Sequence, residues 1–208
     1  LVTITVAYLA CVFFTHYRWK LILLSVPVVV MMIISPPRAL QRLTYTFASV
    51  ADESGDAESR EKAIGSSMER SKMLQVSLGY TFRYPIFGVG PGQFGNTYWG
   101  ELKKLGESAP GLGTHNSYTQ VSSECGLISF FFYLGVIVMS IRTSYRLYRD
   151  SSETPGREET RKIGFCLFIM TLAYAVNTIF FHAAFQPLLS ILAGFVTCAN
   201  LAYAPEKR

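Results

Sequence analysis

Charge is scarce in this chain and unevenly spread. Its 208 residues include 19 Lys or Arg and 14 Asp or Glu, and these fall in clusters between long apolar runs, which excludes an ordinary soluble fold and indicates a multi-pass membrane protein. Cysteine is equally sparse. Cys11, Cys125, Cys166 and Cys198 are scattered, three of them inside apolar runs and none at metal-type spacing, so they read as packing residues and not as a disulfide framework. Histidine is rarer still. His115 is the only histidine in the polar middle of the chain, so the three-ligand N/S set of catalytic zinc is not available there. Asp52, Glu53, Asp56 and Glu58 could hold a hard cation, but the stretch Asp52 to Glu61 has no apolar periodicity and reads as a mobile surface connection. No metal or other cofactor is expected. No internal repeat and no secretory signal is evident, and the chain opens at Leu1 within an apolar segment, as the C-terminal part of a longer protein would.

What the chain does have is apolar length. Leu1 to Phe14 is a first run, shorter than roughly 30 Å of hydrocarbon requires at about 1.5 Å per residue, and is read as a truncated span. The basic, aromatic junction His16-Tyr17-Arg18-Trp19-Lys20 joins it to Leu21 to Ile34, where Pro36-Pro37 ends the second span. Three further spans are expected at about Tyr118 to Met139, Ile163 to Phe181 and Pro187 to Tyr203. The organisation is therefore two spans in residues 1–35, a large, partly helical loop over 36–117, and three spans with short loops over 118–208.

Sidedness follows from the short loops. Arg18, Lys20, Arg142, Arg146, Arg149, Arg157, Arg161, Lys162, Lys207 and Arg208 fall on one side if there are five spans, whereas the turn Phe181 to Gln186 has no Lys or Arg. Basic short loops are retained in the cytoplasm, which puts that turn and the long loop outside. The expected fold is an all-α membrane protein in a bacterial inner membrane, with its large loop periplasmic and membrane lipids as its surroundings.

Within the loop, two Ser-x-x-(Glu/Gln) patterns read as capping boxes at helix starts, Ser66 with Glu69 and Ser117 with Gln120. The first opens a helix through Met68, Met73, Leu74, Val76 and Leu78 towards Tyr84-Pro85, with Arg70 in its first turns. The second places His115 and Asn116 just ahead of the apolar run, at a bilayer surface. Between them, Pro85 to Gly95 is a Gly/Pro turn cluster able to bring the two polar helix starts together. A short helix around Tyr98 to Leu105 and the flexible Pro110 to Gly113 complete the loop.

Arg70 with Leu74 four positions on, the glycine turn, and His115-Asn116 with Gly126 ten residues after Asn116 occur in this order. The stretch Arg70 to Tyr133, and loosely the two later spans, resembles the O-antigen ligase and polymerase family, in which an Arg-x-x-x-Leu motif and a His-Asn, nine residues, Gly motif share the large periplasmic loop. The resemblance implies an inverting, metal-independent glycosyltransferase that moves a glycan from undecaprenyl pyrophosphate to an acceptor hydroxyl, on the lipid A core or on another glycan or lipid acceptor, at the periplasmic face. No nucleic-acid partner is expected.

On this reading Arg70 offsets the charge that develops on the pyrophosphate leaving group, and His115 orients the acceptor hydroxyl and takes its proton. Asn116, Glu124, Lys72 and Arg83 are the candidate substrate-binding residues. Each has a plainer alternative. His115 and Asn116 are ordinary polar residues ahead of a helix, Arg70 is a common solvated helix residue, and Lys72 or Arg83 could serve a phosphate equally well. Glu124 is either an interface residue or a partner that orients His115. His16 and His182 read as residues of the membrane junctions, outside the site. A repeat-unit polymerase would use the same loop. A non-catalytic transporter would carry ionisable residues within its spans, and these hold almost none beyond Glu124.

Overall fold

The computed structural model describes residues 2–14, 57–106, 113–152 and 158–203, and among these residues the regular structure is entirely helical. The helices are α1 Val2–Phe14, α2 Ala57–Arg83, α3 Phe94–Lys104, α4 Ser117–Ser152, α5 Glu158–Asn177 and α6 Leu188–Tyr203. The second apolar run, the His16 to Lys20 junction, Pro36-Pro37, Asp52 to Asp56, Pro110 to Leu112, Arg157, Lys207 and Arg208 lie outside the described residues.

The molecule is organised around α4, which packs against α2, α3, α5 and α6, while α1 lies on α5. Among the described residues α4 is the one helix long and apolar enough to cross a membrane, over Ser117–Arg149. A soluble core helix would bury such a stretch. Here Phe131, Phe132 and Met139 are 65%, 75% and 69% exposed, which suits a lipid-facing surface. The shorter α6 is also apolar.

Where α4 meets α5 and α6, small and hydroxyl-bearing side chains let the helices approach, and their polar groups are satisfied locally. The Ser144 hydroxyl donates to the Ser140 carbonyl at 2.7 Å and the Thr171 hydroxyl to Leu167 at 2.9 Å. Tyr133 and Tyr174 meet hydroxyl to hydroxyl at 3.1 Å, above a cluster of Ile137, Tyr174, Leu189 and Leu192.

A separate core forms beside α4, where α2 and α3 enclose Met73, Tyr80, Phe94, Tyr98 and Leu102. Phe94 is 1% exposed and meets the edge of Tyr80 at a ring separation of 5.7 Å. Burying each such side chain contributes about 1.5–3 kcal/mol, so this small core fixes α3 on α2.

Two helix starts differ from expectation. Helix α2 begins at Ala57, so Ser66 and Glu69 lie inside it and form no capping box. The preceding Ala57-Glu58-Ser59-Arg60-Glu61-Lys62-Ala63 is rich in good helix formers, which extends the helix upstream through residues read as a mobile connection. At α4 the cap is Asn116, one residue before the expected Ser117. Its Oδ1 accepts from the Tyr118 and Thr119 amides at 2.9 and 3.2 Å, as an N-cap side chain does. Gln120 donates its backbone N–H to the Asn116 carbonyl, and both Ser117 and Gln120 use their side chains elsewhere.

Candidate functional site

The site is built on a break in α4. Gly126 adopts φ 83 and ψ 174, backbone that is essentially confined to glycine. A side chain there would place its Cβ 2.1 Å from the Ile86 carbonyl oxygen. The break frees backbone groups, and the Gly/Pro turn occupies them. The Leu127 amide donates to the Pro85 carbonyl at 2.8 Å, and the Val89 and Gly90 amides donate to the Ser123 and Glu124 carbonyls at 2.9 Å each. Gly88 sits so close that an added Cβ would lie 2.3 Å from the Glu124 carbonyl carbon. The turn therefore docks backbone against backbone on the broken helix.

Glu124 completes this joint. It is 4% exposed, and its carboxylate accepts from the Gly92 amide at 2.8 Å and the Phe94 amide at 3.3 Å. A buried carboxylate is tolerable when its oxygens are hydrogen-bonded, and the positive N-terminal end of α3 favours the charge. Glu124 thus ties the turn and the start of α3 to α4.

At the other end of the same short segment, His115 has φ 51 and is the sole non-glycine residue of positive φ among the described residues. Such a conformation costs about 1–3 kcal/mol and is retained where the surroundings over-determine it. Two neighbours fix it. Asn116 caps α4, and Thr114, 3% exposed, donates its hydroxyl to the Asn116 carbonyl at 3.1 Å.

The turn between α5 and α6 is tied to this segment. The Ser117 amide donates to the Thr178 carbonyl at 2.8 Å. The Ser117 hydroxyl donates to the Phe181 carbonyl at 2.6 Å and accepts from the Ala183 amide at 2.9 Å. The Gln120 side-chain oxygen accepts from the Ala184 amide at 3.3 Å. Between those anchors His182 turns its ring edge-on to His115, with centroids 5.5 Å apart, and packs against Gly113.

Arg70 stands on α2, within electrostatic range of His115. It shares a helix face with Ser77 and Thr81, two and three turns on. That face packs on α4, where the Thr81 and Ser122 hydroxyls meet at 2.8 Å. Burial holds the His115 imidazole below its ordinary range; the neighbouring His182 ring and the Arg70 guanidinium lower it further, and Glu69 opposes them. The imidazole is therefore a neutral, proton-accepting group near neutral pH. Arg70 is exposed and, among the described residues, has no ion-pair partner.

Of the other candidates, Asn116 adjoins His115 as the cap, and Lys72 is exposed on α2. Arg83 pairs with Glu101 at 3.2 Å on the surface, while the Tyr80 hydroxyl donates to the other Glu101 oxygen at 2.7 Å. The sequence reading left His182 at a membrane junction, and the structure sets its ring against that of His115. A signal was present, because the charge count already put the 181–186 turn on the same side as the His115 loop.

These features define a helical membrane protein whose polar site sits at the broken start of its longest apolar helix. Residues 1–134 match the family model described as O-Antigen ligase, and the chain belongs to that membrane-embedded family of glycosyltransferase-like ligases and polymerases. A search of curated proteins and a search of solved structures return no match.

Proposed function

We propose that this chain carries the catalytic loop of an O-antigen ligase-like glycosyltransferase, moving a glycan from an undecaprenyl-pyrophosphate carrier to an acceptor hydroxyl. The observation that supports this reading is the convergence of Arg70 and His115. Arg70 stands on α2 and His115 on the loop ahead of α4, yet the Arg70 charge acts on an imidazole held in left-handed backbone.

In the reaction, the acceptor oxygen attacks the anomeric carbon from the face opposite the carrier, and the bond from that carbon to the pyrophosphate oxygen breaks. The hydroxyl proton passes to the neutral His115 imidazole. Arg70 offsets the negative charge appearing on the leaving pyrophosphate, where a planar guanidinium can make two parallel contacts. Lys72, on the same helix, adds positive charge nearby, and no catalytic metal is called for.

The loop 36–117 and the 181–186 turn lie on the periplasmic side of a multi-pass inner-membrane protein, where the lipid-linked donor is presented. The lipid A core or another surface glycan is the acceptor. The test is glycan transfer by membranes carrying His115→Ala, with the protein's abundance followed by immunoblot. Transfer is abolished at normal abundance, and EDTA leaves the parent protein active. A fully active Ala variant would remove His115 from the chemistry, and EDTA inactivation reversed by a divalent cation would overturn the metal-free step.

A further inference from the structure

The turn that brings His182 to the site belongs to a part of the chain beyond the family match, which ends at residue 134. Its placement is nonetheless tightly specified. Ser117 bonds to the residues on both sides of His182, accepting from Ala183 and donating to Phe181, and Gln120 and the Ser117 amide add one bond each further out. The His182 ring also stacks on Phe181 at 5.7 Å. A merely exposed turn needs none of these ties.

We propose that His182 is a positioning residue for this site: its ring, perpendicular to that of His115 and carried on backbone that Ser117 ties down on both sides, holds the His115 imidazole in the orientation that receives the acceptor's proton. This inference rests on the reading of His115 as the base. The residue fits the task in two ways. An edge-to-face ring contact restrains rotation of the partner ring. A second ionisable ring also disfavours charge on its neighbour, and it acts in the same direction as Arg70 and against Glu69, the other charged groups acting on His115.

The experiment follows His115 itself by NMR of ring-labelled histidine in nanodisc-embedded protein, alongside the pH dependence of transfer, for the parent, His182→Gln and His182→Phe. His182 is exposed, so both variants are expected to keep the parent's thermal unfolding midpoint. In the Gln variant the His115 titration moves up towards the ordinary imidazole range. The acidic limb of the rate profile moves with it, and kcat falls about tenfold through lost orientation, with KM little changed. The Phe variant keeps the edge-on ring, so it recovers kcat while the titration stays high. An unchanged His115 titration in the Gln variant would overturn the pairing. A shifted titration with an unshifted rate profile would leave the pairing standing and instead sink His115 as the base.

Discussion

Replacing Gly126 by alanine should undock the glycine turn without unfolding the molecule. The φ of 83 with ψ 174 lies where an L side chain is strained by about 1–3 kcal/mol. The added methyl would also stand 2.1, 2.5 and 2.9 Å from Ile86 and Pro85 backbone atoms, and backbone cannot swing aside as a flexible side chain can. Relief comes by straightening the helix and expelling the turn, which gives up the Leu127, Val89 and Gly90 hydrogen bonds at about 1 kcal/mol each net. Undocking therefore replaces the strain with a loss of about 3 kcal/mol in hydrogen bonds, enough to release the turn and less than the whole stability of a small domain. The turn and α3 should therefore lose protection while the α4, α5 and α6 packing persists. Hydrogen exchange over residues 85–95, read beside transfer activity, measures this. Gly79 supplies the control, because a Cβ there meets nothing within 4 Å and alanine favours a helix by roughly 0.5–1 kcal/mol. Parent-like protection and activity in Gly126→Ala would refute the docking argument.

Three other outcomes follow. Arg70→Lys should lose about a hundredfold in transfer rate, roughly 3 kcal/mol, because an ammonium cannot reproduce a two-pronged phosphate contact; parent-like turnover at matched abundance would take Arg70 out of the site. Glu124→Ala leaves the Gly92 and Phe94 amides without their acceptor, a loss of about 1–3 kcal/mol for each buried group, to be read as a lower unfolding midpoint and faster exchange at residues 92–94, with Glu124→Gln milder because one acceptor remains. Transfer should fail on acidification only below the usual histidine midpoint of 6.5, since His115 is lowered from it; the unfolded chain takes up the proton first, so stability also declines as pH falls through that window, and a limb at or above 6.5 would contradict the site's electrostatics.

The helices were legible because apolar runs and helix-forming stretches are local properties. Arg70, His115, Asn116 and Gly126 could be singled out through the resemblance their motifs carry, but the structural reasons for Gly126 and Asn116 could not. Gly126 is glycine because Ile86, forty residues earlier, fills the space its side chain would need, and a pattern along the chain carries no trace of that neighbour. Ser117 and Asn116 are equally good caps by residue type. Which one caps was decided by Thr178, Phe181 and Ala183, which claim the Ser117 amide and hydroxyl. Ser66 shows the converse, a local pattern overridden by the helix-forming residues upstream of it. Glu124 was legible as an acid at a membrane edge or beside His115, yet its observed partners are backbone amides that any sequence would offer.

A break in a membrane helix releases amides and carbonyls that lipid cannot satisfy, so such a break persists only where other protein takes them up. At Gly126 the groups that do so belong to the turn joining α2 to α3, and α2 is the helix that carries Arg70. The same nine-residue segment, Ser117 to Cys125, starts at the cap that sets His115. One structural requirement therefore sets the spacing of the two proposed groups. The turn must dock to complete the backbone, and in docking it fixes the α2 face on which Arg70 stands relative to the His115 end of the segment. This accounts for a glycine ten residues from Asn116 forming part of the same motif as the histidine, although it has no side chain to offer the chemistry. It also implies that lengthening Ser117 to Cys125 by one residue, which rotates the His115 end by about 100° against the docked turn, should abolish transfer even if the protein still inserts. Insertion of a full turn of four residues should restore the facing but carry His115 about 6 Å further along the axis, and activity there would show that the two groups need not be held together.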